Sequence, residues 1–136
     1  MPSFAIEAPA EAQPLTVEEL YRVLLSASSS DPQQIQTGTK QLQNWESLNG
    51  FYSGLQAVYL DVSLPIEVRY LAIIQLKNAV DKYWRKSAHR TLAKDEKDLI
   101  RSRVVDGVVN EPVEKLALQS AIFTAKILRS ELPKEW

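Results

Sequence analysis

A chain of 136 residues with a formal net charge of −1 has room for one domain with a real core, and it carries no global electrostatic pull toward nucleic acid or anionic membrane. The absence of cysteine removes a disulfide framework and a thiol nucleophile, and fits a reducing compartment. With no signal-peptide pattern and no apolar run approaching the roughly 20 residues of a membrane span, the sequence reads as soluble and intracellular.

Residues 1–14 hold three prolines among Ala, Glu and Ser and read as a disordered tail. Thr16 and Glu19 then form a capping box, flanked by Leu15 and Leu20 as a hydrophobic staple. Val17, Leu20, Tyr21, Leu24 and Leu25 give this first helix its apolar stripe. The serines around Ser26 to Ser30 end it. Asp31, Pro32 and Gln34 open the second helix as cap, first-turn proline and capping-box partner, with Ile35, Thr39, Leu42 and Trp45 as its buried positions. Gly38 inside that helix costs about 1 kcal/mol relative to alanine, which points to close approach of a neighbouring helix. After a break at Asn49 and Gly50, Phe51, Tyr52, Leu55 and Tyr59 make a short third helix ending near Asp61.

The fourth helix is the most decisively helical stretch, Ser63 to Trp84, with Ser63 as cap and Pro65 in the first turn. Val68, Leu71, Ala72, Leu76, Ala79, Val80 and Tyr83 define a buried face. The opposite face carries Glu67, Tyr70, Ile74, Lys77, Asn78 and Asp81, and its apolar pair among charges suggests a surface that another protein covers. Arg69, beside the buried stripe, is suited to bridging repeats through carbonyls or a carboxylate. Arg85 to Arg90 reads as a basic loop in which His89 is solvated. A fifth helix follows, with Asp95 and Glu96 near its start, where the dipole favours acid, and Leu99, Ile100, Val104, Val108 and Val109 as apolar positions. The sixth starts at Asn110, Glu111 and Pro112 and runs to about Leu132. In it Val113, Leu116, Ala117, Ser120, Thr124, Ile127 and Leu128 face inward, while Phe123 and Leu132 lie at an outer apolar edge. Trp45 and Trp84 close their helices as core residues.

Six helices in three hairpins follow from this pattern. Pro32, Pro65 and Pro112 each open the second helix of a hairpin, at separations of 33 and 47 residues, near the roughly 40 to 47 residues of a HEAT-type repeat. The fold class expected is all-α: a right-handed α-solenoid of three HEAT-type hairpins, first helices convex and second helices concave. Periodicity alone also allows an ordinary helical bundle. The sequence has one histidine, and it shows no metal-ligand cluster, glycine-rich phosphate loop or nucleophile elbow. No enzyme activity, cofactor, metal or catalytic residue is therefore expected. The basic cluster Lys82, Arg85, Lys86, Arg90, Lys94 and Lys97 is interleaved by Asp95, Glu96 and Asp98, and so reads as a solvated face or a contact to an acidic protein, not to nucleic acid.

Several motifs occur together in order: LQNWE at Leu42 to Glu46, GFY at Gly50 to Tyr52, LPIEVRYLAIIQLKN at Leu64 to Asn78, and Trp84 closing that helix. With AVDKYWRK, the NEP at Asn110 to Pro112 and the terminal LPKEW, they resemble the importin-β (karyopherin) N-terminal domain, most closely its importin-eleven branch. The resemblance spans Leu15 to Trp136. Gly38 and Gly107 depart from the alanine-like residues expected there. It implies that residues 15–136 are HEAT repeats 1 to 3 and the start of a fourth, with Leu132, Pro133 and Trp136 at its threshold. It also implies a nuclear transport receptor shuttling between cytoplasm and nucleus through the nuclear envelope, with Ran-GTP bound on the concave second helices. The further partners it implies are nucleoporin phenylalanine-glycine repeats on the convex side, and protein cargo on repeats beyond this chain. On that implication the Ran-binding residues are Tyr70, Ile74, Lys77, Asn78, Asp81, Gln119, Ile122 and Lys126, with Tyr70 and Ile74 as the apolar centre and Lys77, Asn78 and Asp81 as the polar edge. Two alternatives stand beside this reading: Lys77 and Asn78 serve only to hydrogen-bond neighbouring repeats, or the chain is a HEAT scaffold binding another protein or peptide on its concave face.

Overall fold

The computed structural model describes residues 15–84 and 92–131. Among the described residues there are six α-helices: α1 Val17–Ala27, α2 Pro32–Trp45, α3 Phe51–Leu60, α4 Ile66–Ala79, α5 Lys94–Val109 and α6 Glu114–Glu131. A π turn, Val80–Trp84, extends α4. No strand occurs among the described residues. The expectations for residues 1–14, for the basic loop with His89, and for Leu132 to Trp136 lie outside the described residues.

Caps read from sequence set several of the helix starts. Thr16 Oγ1 accepts the Glu19 N–H at 3.1 Å while Glu19 Oε1 accepts the Thr16 N–H at 3.1 Å, completing the capping box. Asp31 Oδ1 accepts the Gln33 N–H at 3.1 Å, so the second helix is capped by Asp31 alone and Gln34 is not used. Ser63 does not cap α4. Asp61 accepts both its N–H and its hydroxyl, at 3.0 and 2.6 Å, and Pro65 stands at the N-cap, with the helix starting at Ile66. Pro112 likewise precedes its helix, which begins only at Glu114. Glu111 Oε2 accepts the Val113 N–H just ahead of it, at 3.0 Å.

The helices pair as α1/α2, α3/α4 and α5/α6, and the hairpins stack: α1, α3 and α5 lie side by side in one layer, and α4 and α6 pack together in the other. This is the three-hairpin α-solenoid expected from the sequence. α2 packs on α1 across Gly38, where an added Cβ would lie 2.7 Å from Ala27 N and 2.9 Å from Val23 O. At Gly107 it would lie 3.1 Å from both the Tyr59 ring and Ser120 Oγ. Both departures from alanine therefore mark close helix crossings. Leu20, Leu24, Phe51, Leu55, Val58, Val68, Ala72, Ile73, Leu76, Ile100 and Leu116 form the centre of the core, and Trp84 is buried with them.

Some burial expectations are corrected. Ile35 and Thr39 are exposed, because the crossing at Gly38 and Leu42 leaves α2 a narrow buried strip at the end of the stack. Val17 and Leu25 on α1, and Leu99 and Val109 on α5, are exposed. Ile73 is buried, whereas Leu71 and Tyr83 are only half-buried. On α6 the expected positions of Phe123 and Leu128 are reversed: Phe123 is 2% exposed and Leu128 56%.

Candidate partner-binding face

α4 and α6 run parallel, and three contacts fix their register. The Lys115 ammonium lies 5.0 Å from the centre of the Tyr70 ring, Lys77 Nζ donates to Gln119 Oε1 at 2.8 Å, and Lys126 Nζ donates to Asp81 Oδ2 at 2.6 Å. The eight residues singled out from sequence therefore do come together on two neighbouring helices. Four of them, Lys77, Asp81, Gln119 and Lys126, bond one hairpin to the next, as the structural alternative for Lys77 anticipated. Asn78 makes no such bond and is exposed. Tyr70, Ile74 and Ile122 are half-buried between the polar pairs.

Helical spacing extends this face beyond those residues. Leu118, Ile122, Ala125 and Arg129 recur at four, three and four, on one side of α6, and Leu118 is 58% exposed. On α2, Gln33, Gln36, Thr37, Lys40 and Asn44 form a polar patch of their own and are exposed. Between α2 and α4 a shallow polar cleft is lined by Thr39, Gln43, Glu46, Gln75, Asn78 and Lys82. Sequence reasoning named neither Leu118 nor Arg129, although the same 3.6-residue period that gave Ile122 would have found them.

Buried polar contacts hold the layers behind this face. The Arg69 guanidinium pairs with Glu111, side chains 2% and 1% exposed, and its Nε donates to the Tyr59 carbonyl at 2.8 Å. This is the bridging role expected of Arg69. Tyr59 Oη donates to the Gly107 carbonyl at 2.7 Å, and burial, above all, pushes its hydroxyl up to about 12, with the neighbouring Glu111 charge adding to the effect. Glu96 does more than favour its own helix dipole. Its carboxylate accepts the Gly50 and Ser53 N–H groups at 3.1 and 2.9 Å, capping α3, whose own N-cap residue Gly50 has no side chain to do so. At the π turn, Tyr83 Oη donates to Glu46 at 2.8 Å and Trp84 Nε1 to Glu131 at 2.9 Å, so adjacent residues tie α4 to α2 on one side and to α6 on the other. Local sequence gives no signal for either cross-hairpin cap or brace.

Among the described residues, no group of three or more His, Asp or Glu could hold a metal ion, and no helix is long and apolar enough to cross a membrane. What the face offers is a contact surface of apolar centre and polar edge.

Residues 38–110 match the family model of the importin-beta N-terminal domain. The importin beta-like protein KAP120 of Saccharomyces cerevisiae is 38% identical over 126 residues, covering 89% of this chain and 12% of its own length. Human importin-11 is 36% identical over 115 residues, covering 85% of this chain and 12% of its own. The solved structure of Lph2, described as a bidirectional nuclear transport receptor of S. cerevisiae, superposes with a TM-score of 0.70 at 38% identity, covering 84% of this chain and 11% of that one. The chain thus spans about one eighth of the length of the curated relatives it matches. The family model matched over residues 38–110, more than half of the chain, makes this chain a member of the importin-beta N-terminal domain family.

Proposed function

We propose that this chain is the Ran-GTP-binding N-terminal part of a nuclear transport receptor, with residues 15–136 forming its first three repeats and the threshold of a fourth. The observation that carries this reading is the inner face of α4 and α6, where half-buried Tyr70, Ile74 and Ile122 sit among Lys77, Asn78, Asp81, Gln119 and Lys126 on a scaffold of the importin-beta N-terminal domain family. Function on this reading is by contact and linked affinities: a GTPase that binds one side of a receptor and a cargo that binds another shift each other's occupancy by the same factor. The receptor would shuttle between cytoplasm and nucleus, meet nucleoporin phenylalanine-glycine repeats on the α1, α3 and α5 layer, and take protein cargo on repeats beyond this chain.

A pull-down comparing Ran-GTP with Ran-GDP tests the reading. Preference for the GTP form is expected, at micromolar strength or weaker, about −8 kcal/mol at best, because three repeats present only part of a binding arch. Equal capture of the two forms, or capture of neither, overturns it. The second reading, a HEAT scaffold for another protein on the same concave face, draws on the four site residues that bond one hairpin to the next.

A further inference from the structure

The inner face carries two lysines, Lys77 and Lys115, that form no ion pair among the described residues. Lys77 is half-buried, and its ammonium donates only to the neutral carboxamide oxygen of Gln119, at 2.8 Å. Lys115 sits with its ammonium 5.0 Å from the centre of the Tyr70 ring. Neither forms an ion pair among the described residues, whereas Lys126, on the same face, is paired with Asp81. A partly desolvated ammonium is satisfied far less by an amide dipole than by a carboxylate. Next to these cations stand Ile74, Ile122 and the exposed Leu118.

We propose that this strip docks a protein segment presenting a carboxylate beside an apolar side chain. The carboxylate takes the Lys77 ammonium, with Lys115 as the second cation, and the apolar side chain lies on Ile74, Ile122 and Leu118. The apolar residues between the charges fit a protein partner. A nucleic-acid backbone would need phosphate-spaced cations in place of those isoleucines and leucine. The proposal rests on reading the inner face as a partner surface, and it adds what that partner must carry.

The position of Gln119 supplies the test. Gln119→Glu places a carboxylate on Lys77 from within the chain and leaves the lysine untouched; Lys77→Gln removes the charge. The probe is a fluorescein-labelled synthetic peptide of alternating aspartate and leucine, with an asparagine–leucine peptide as control, titrated by anisotropy into the 136-residue chain. The aspartate peptide should bind, the asparagine peptide about tenfold more weakly, and binding should weaken with added salt. Each variant should lower affinity for the aspartate peptide about tenfold, while Gln119→Glu keeps or raises the thermal midpoint. A lost midpoint in Lys77→Gln is thereby separated from a lost docking site. Equal binding of the two peptides, or an unchanged affinity in Gln119→Glu, overturns the proposal. Ran-GTP titrated in parallel separates the two readings: peptide binding that responds to both variants, without any Ran-GTP binding, removes the Ran assignment and keeps the strip. Ran-GTP binding unmoved by Gln119→Glu, with no peptide preference, does the reverse.

Discussion

Glu96 belongs to α5 but completes α3, accepting the Gly50 and Ser53 N–H groups. Glu96→Ala strips both acceptors from a buried helix end and should cost about 2 kcal/mol, whereas Glu96→Gln, with one amide oxygen, should restore roughly half of that. Urea unfolding of the three proteins checks it, and an alanine variant as stable as the parent would mean that water caps α3 equally well. Tyr59 gives a pH dependence of known sign. Its folded value, about 12, lies above the roughly 10 of an unfolded tyrosine, so its contribution is intact below pH about 10 and is lost as the pH rises from there toward 12. Stability should fall across that window more steeply in the parent than in Tyr59→Phe, which loses the bond to the Gly107 carbonyl at every pH but has no phenol to ionise. Parallel slopes in the two proteins would place the alkaline loss on other groups.

At the scale of elements, α2 shows what one glycine decides. A Cβ added at Gly38 would meet backbone atoms of α1, Ala27 N and Val23 O, which cannot rotate aside as a side-chain tip can. Gly38→Ala should therefore cost about 1–3 kcal/mol despite alanine's better helix propensity, with circular dichroism unchanged in shape and the melting midpoint lowered; a raised midpoint would show that α2 can slide along α1. The same helix marks the limit of sequence reading. The cap at Asp31 and the close approach at Gly38 are local signals, and the structure shows both. The burial of Ile35 and Thr39 was misjudged because a periodic pattern does not say how wide a stripe the neighbours cover. For α4, the period found the face of Tyr70, Ile74, Lys77, Asn78 and Asp81, but whether Lys77 and Asp81 reach α6 depends on the offset between two helices more than 40 residues apart, which no local pattern encodes. The wide turn Val80–Trp84 was read as plain helix for the same reason: its bonding partners, Glu46 and Glu131, lie in other hairpins.

Across the whole molecule, the third hairpin presents an apolar edge among the described residues. Val105 and Val109, 68% and 71% exposed, lie on α5 on the side turned from α3, and Leu128, 56% exposed, lies on α6 on the side turned from α4. Repeat stacks need their end faces covered. The isolated chain should therefore self-associate as its concentration rises, and Val105→Lys combined with Leu128→Lys should abolish this without lowering helix content. Sedimentation that finds a strict monomer at high concentration in the parent would count against this edge as the point of association.

The cap that Glu96 places on α3 also bears on the order in which the chain is made. Glu96 follows Ser53 by 43 residues and Gly50 by 46. At roughly 5–20 residues per second, α3 leaves the ribosome about 2–9 s before its own end is closed. During that interval the N–H groups at Gly50 and Ser53 have no carboxylate to accept them and are left to water. A chain truncated between α4 and α5 should therefore show faster amide hydrogen exchange at Gly50 and Ser53 than the 136-residue chain.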